Sequence, residues 1–167
     1  MDEKRYDVAA VKERLKTYSE NQRDIDNQIE RLERLITKMN GVGAQTISDM
    51  PRAKGVVGDR IADMVSQKDD LERVIREAIE EQSREWKRIE KILNQLRKVD
   101  ERAVIRMRYH DGEGWSEVTK MLFGRKDDFE EKEETYLRRI HKIHGAALLN
   151  MARMSDGDRP PEFSTPP

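Results

Sequence analysis

"VAAVKERLKTYSENQRDIDNQIERLERLITKM", residues 8 to 39, decides the fold. Val8, Val11, Leu15, Tyr18, Gln22, Ile25, Ile29, Leu32, Ile36 and Met39 are spaced alternately three and four apart. That is the a/d seam of a heptad repeat, with Gln22 as its one polar member. Neither Gly nor Pro interrupts residues 3 to 39, so the pattern predicts one helix over that span, about 55 Å long. Such a helix cannot bury its stripe against itself and needs a partner.

The partner is a second repeat, from about residue 60 to 99. Ile61, Met64, Lys68, Leu71, Ile75, Ala78, Gln82, Glu85, Ile89, Ile92, Leu96 and Val99 occupy its a/d positions. Val65, Val74, Ile79, Trp86 and Leu93 widen the stripe, which implies more than one neighbour. Between the repeats, "NGVGAQTISDMPRAKGVVGD" at 40–59 holds four glycines and a proline, the composition of a long connecting loop. Asp59 suits the N-cap of the second helix. The expected arrangement is a long antiparallel hairpin, a coiled coil with its turn near residue 52 and Gln22 opposite Gln82. Two helices make a thin core, so a homodimer through the hairpin is expected.

Composition agrees with long, one-sided helices. Charged residues make up 40% of the chain and hydrophobic ones 35%, with a mean hydropathy of -0.96. The net charge of -1 and pI of about 6.4 carry no whole-chain signature of a nucleic-acid binder, so any such surface must be local. The absence of cysteine excludes disulfides and Cys-ligated zinc. No apolar run approaches the roughly 18 residues of a membrane span, and "MDEKRYDVAA" lacks the apolar stretch of a signal peptide. A cytoplasmic protein with no membrane partner is expected, in a bacterial host cell on the resemblance given below.

Residues 100–154 are patterned differently. A short helix from about 100 to 109 is broken by "HDGEG"; a second begins after Gly114 and stops at Gly124; a third runs from near Thr135 to about Met154. Helix, glycine-containing turn, helix, turn, basic helix is the order of a helix-turn-helix unit. The fold class is therefore all-α. Residues 1–99 are the hairpin, 100–154 a helix-turn-helix module, and 155–167, "SDGDRPPEFSTPP", a disordered tail.

Within "EETYLRRIHKIHGAALLNM", residues 133–151, acid gives way abruptly to base. Residues 135–154 hold Arg138, Arg139, Lys142 and Arg153 and no acid, a local charge of +4. Helical spacing packs Leu137, Ile140, His144, Ala147, Leu148 and Met151 inward, and turns Thr135, Arg138, Arg139, His141, Lys142 and Gly145 outward. Arginine suits bidentate contact to guanine, and Lys and Thr reach bases or phosphates. A solvated basic face is the plainer reading of the same pattern. Trp115 is expected as an apolar anchor rather than a base-stacking group. His141 and His144, three apart, lack an acidic or Cys ligand on their face, so no metal site is expected.

"RMRYHDGEGWSEVTKML" (106–122) followed by "YLRRIHKIHGAALLNM" (136–151) resembles the C-terminal region of phage late-gene transcription regulators of the ArpU and RinA type, themselves similar to region 4 of bacterial sigma factors. Arg108, Tyr109, Trp115, Val118, Ile140, His144, Gly145, Ala147 and Leu148 carry the resemblance. "DMPRAKG", residues 49–55, looks like a loop of uncharacterised phage proteins in that group. The resemblance implies a phage or prophage DNA-binding transcription regulator, with double-stranded DNA met by Thr135, Arg138, Arg139, His141 and Lys142. In one respect the chain departs from the pattern. "GRKDDFEEKEE" is longer than the family's turn, and residues 127–134 carry six acids and one lysine, a charge of -5. Carboxylates there repel phosphate.

Catalysis has little support. No glycine-rich phosphate loop, HExxH or GxSxG occurs, so neither an enzyme nor a cofactor is expected. The competing readings are a coiled-coil adaptor that engages another protein, such as RNA polymerase, and a DNA-packaging subunit.

Overall fold

The structure, a computed structural model, describes residues 7–45 and 54–155. Among these residues there is no strand, and the fold is all-α as expected. Helix α1 is Val8–Gln45 and α2 is Lys54–Leu93. Helices α3 (Val99–Ile105), α4 (Trp115–Phe123) and α5 (Phe129–Ser155) follow, with a π-helical segment, Arg106–His110, continuing α3.

Several helix boundaries differ from the sequence reading, and α1 begins at Val8 rather than at residue 3. Residues 40–45 and 54–59, expected as loop, are helical, and 46–53 lie outside the described residues. Each glycine costs a helix about 1 kcal/mol, which long flanking helices can offset. Asp7 supplies a cap for α1 that the pattern did not single out, its carboxylate accepting from the Ala10 amide at 2.9 Å. The second long helix stops at Leu93, not near 99. No Gly or Pro stops it. A tight turn does, with Gln95 N to Ile92 O at 3.0 Å and Leu96 N to Leu93 O at 3.1 Å. Burial of Leu93 and Leu96, with the Arg102 guanidinium donating to the Leu96 carbonyl, holds that turn. Finally, α5 starts at Phe129 rather than near Thr135, and a non-helical Lys132 (φ -122, ψ 20) kinks it.

The chain forms two compact units. The first combines the stretch up to Ser19 with everything from Glu85 on; residue 100, where the sequence pattern changes, lies inside it. Its larger core cluster joins Leu15 and Tyr18 of α1 and Ile89, Ile92 and Leu93 of α2 to Ile105, Tyr109, Ala147, Leu148 and Met151. A second cluster, Val104, Val118, Phe123 and Ile140, ties α3, α4 and α5 together. Ion pairs lie at the edge of this core. Glu85, at a seam position, accepts from Arg14 and from Arg88. Burial raises its pKa, but the two guanidiniums outweigh that and hold the carboxyl below its usual range.

The second unit is Glu20–Arg84, the hairpin proper. Ile25, Ile75 and Gln82 are buried there, while Gln22 is half-buried and donates to Asp26 one turn on (3.4 Å). Its seam is otherwise half-exposed: Ile29, Leu32, Ile36, Met64 and Leu71 are only partly covered.

Candidate nucleic-acid interface

The π segment sets the geometry beneath α5. The Asp111 amide bonds to the Arg106 carbonyl at 3.0 Å, five residues back, so one extra residue is wound into the turn. The chain leaves this turn through Gly112 at φ +75, a conformation that other residues adopt only with strain. The Glu113 amide returns to Met107 O (2.9 Å), and Arg108 donates to Glu113 O (2.8 Å). The winding directs Tyr109 inward, where its hydroxyl meets His144 Nε2 at 2.9 Å, and leaves His110 exposed beside Trp86, 4.2 Å between ring centres.

His144 is buried in α5. Burial, then the charges of Lys12, His141 and Arg108, lower its pKa to about 4. Burial raises the Tyr109 pKa. The ring is thus neutral at pH 7, and its Nε2 shares a hydrogen bond with the Tyr109 hydroxyl. Trp115, at the start of α4, packs as the expected apolar anchor: its ring lies 4.9 Å from His144, 4.7 Å from His141, and under the Arg108 guanidinium at 4.9 Å.

At the other end of α4, Gly124 is required for close approach. A Cβ there would lie 2.4 Å from the Lys120 carbonyl oxygen. The acidic stretch that follows is ordered by Asp128. Its carboxylate accepts from Tyr136 Oη (2.7 Å) and Lys132 Nζ (2.8 Å), and these bonds, the lysine's first, hold it below the usual carboxylate range. Tyr136 in turn stacks on Phe123 at 4.9 Å. Residues 127, 130, 131, 133 and 134 stay exposed.

The outward and inward faces of α5 are as its periodicity predicts. Ile140, His144, Ala147, Leu148 and Met151 are buried, and Leu137 is half-buried. Thr135, Arg138, Arg139, His141 and Lys142 are all exposed, on one side of a rigid helix. Three of the five have local engagements. Arg138 pairs with Glu134, both exposed; the Arg139 guanidinium lies over the Phe123 ring at 5.0 Å; His141 leans on Trp115. Lys142 has no ion-pair partner among the described residues. An exposed pair such as Arg138–Glu134 contributes little and is readily exchanged for another anion.

One contributor escaped the sequence pattern. Arg139 and Lys142 line a groove of about 520 Å³ with Lys98, Val99, Asp100, Glu101, Ile143 and Ala146. Lys98 joins the basic surface because α2 ends early, which nothing at residues 94–98 announces. Glu101 is 2% exposed; its Oε2 accepts from Asn150 (3.0 Å), and its buried Oε1 has only the Lys98 ammonium, at 3.8 Å. Among the described residues no group of three or more His, Cys, Asp or Glu is placed to hold a metal ion, and no helix is long and apolar enough to cross a membrane.

Fold and surface together define an all-α protein with a helical hairpin unit and a compact helical unit that carries one basic helix face. The chain belongs to the family described as "Protein of unknown function (DUF1492)", which matches residues 52–143, more than half of its length. The matched span ends one residue after Lys142 and so includes all five candidate side chains. No curated protein and no solved structure matches the chain.

Proposed function

We propose that this protein is a non-enzymatic, sequence-specific DNA-binding regulator of transcription, phage or prophage encoded, that presents α5 to duplex DNA. The observation that carries this reading is the joint exposure of Thr135, Arg138, Arg139, His141 and Lys142 on one face of a helix whose opposite face is locked into a core. A rigid helix with arginines in its N-terminal half has the makings of a major-groove reader. Lys98 adds a phosphate contact beside Lys142. The carboxylates at 127–134 act against tight non-specific binding, leaving specificity to the arginines. A homodimer through the hairpin would place two such faces on two half-sites.

The test is selection of bound sequences from a random DNA pool at two salt concentrations, followed by binding measurements on the enriched site. Arg138→Ala and Arg139→Ala should each weaken binding to that site roughly tenfold or more. Lys98→Ala should weaken all sequences alike and flatten the salt dependence. If no sequence is enriched, or if both arginine variants bind like the parent, the reading fails. An adaptor role is the second reading, favoured by the exposed Val74 and Ile79 of the hairpin unit. Capture of one host protein, such as RNA polymerase, that survives nuclease treatment would favour it.

A further inference from the structure

Along one edge of the hairpin unit, Leu35, Leu71 and Val74 line a groove of about 630 Å³ between α1 and α2. Leu35 and Leu71 are half-buried and Val74 is 48% exposed, so the groove has an apolar floor that this chain's own two helices do not cover. The α1 rim is basic: Arg31, Arg34 and Lys38. The α2 rim holds Gln67 and Asp70, and Glu77 follows two turns further along the same edge. Arg31, Lys38 and Glu77 have no ion-pair partner among the described residues, while Arg34 and Asp70 make only exposed pairs with Glu30 (2.6 Å) and Arg73 (3.3 Å).

We propose that this groove is the docking site for a second copy of the chain, hairpin against hairpin about a twofold axis, with α1 of each copy lying on α2 of the other. A twofold contact uses one surface twice, so that surface must complement itself. This one does: its basic α1 rim faces the partner's acidic α2 rim, and the reverse holds across the axis. The alternative pairing, α1 on α1, would set Arg31, Arg34 and Lys38 against themselves, and like charges in a contact are strongly disfavoured. Val74 of each copy fills the other's groove. Four helices then enclose a seam that two leave half-open.

The proposal rests on the dimer part of the functional reading and not on DNA contact, so its test contains no DNA. The full chain is expected to have a dimer's mass in solution. Val74→Arg should give a monomer of unchanged helical circular dichroism. Ile79→Arg, five residues on and about 140° around the helix, should remain dimeric. The decisive arm uses charge. Arg31→Glu with Arg34→Glu, and separately Asp70→Arg with Glu77→Arg, should each weaken self-association roughly tenfold or more. Mixed together, the two variants should recover a dimer containing one of each. A monomeric parent chain overturns the proposal. So does a monomer from Ile79→Arg alongside a dimer from Val74→Arg, or a mixture in which the two weakened variants fail to pair. A dimer that selects no DNA sequence would end the regulator reading and leave this interface standing.

Discussion

The two long helices are treated differently in the two units. Before Ser19 and after Glu85 their seam is closed: Leu15 and Ile89 are 1% exposed and Leu93 is 0%. Between those points the same helices leave Val74 48% and Ile79 47% exposed. The same a/d spacing runs through both regions. What differs is the neighbours: α3, the π segment and α5 supply Ile105, Tyr109, Ala147, Leu148 and Met151 to the first unit, and the second has only its own pair of helices. A heptad repeat therefore specifies helices and their pairing, while burial depends on what else is brought against the stripe.

Four substitution tests would break or sharpen that contrast. The largest effect should come from Ile140→Ala, which empties a fully buried site in the second cluster. Denaturant unfolding should show a loss of about 2–5 kcal/mol, against a few tenths for Ile79→Ala at its exposed position. Next is acid. His144 has a folded pKa of about 4, below its ordinary 6.5, so the folded state binds fewer protons. The stability this ring supports is complete above about pH 6.5 and is lost as the pH falls toward 4, reaching about 3 kcal/mol. His144→Gln should flatten that slope between pH 6.5 and 4; an unchanged slope would place the sensitivity elsewhere. Gly124→Ala should follow, at about 1–3 kcal/mol, because its methyl would lie against the Lys120 carbonyl. Gly112→Ala is smaller, about 1 kcal/mol, from the positive φ alone, since no atom lies within 4 Å of an added Cβ. Hydrogen exchange in both glycine variants should rise around α4 and the π segment and stay unchanged in residues 20–84. Equal loosening of both units would contradict their separation.

The candidate surface was legible for the same reason the helices were. Period 3.6 separates Ile140, His144, Ala147 and Leu148 from Arg138, Arg139 and Lys142 without knowledge of the neighbours. Gly112, Gly114 and Gly124 bound α4 through local backbone chemistry. What lies under that surface was not legible. The Tyr109–His144 bond joins residues 35 apart, and it needs the extra residue wound into the π segment. The acidic run looked like a loop because its charges mask the anchoring of Asp128 by Tyr136 and Lys132.

Sequence by itself determined the all-α class, the two long helices, the α4 boundaries and the sidedness of α5, since each follows from periodicity or from one residue's backbone preference. Only the tertiary structure decided where α2 ends, how the π segment is wound, that Lys98 stands beside Lys142, and which stretch of the long seam is closed. Those depend on contacts between residues far apart in the chain, where the energy of filling a core outweighs local propensity.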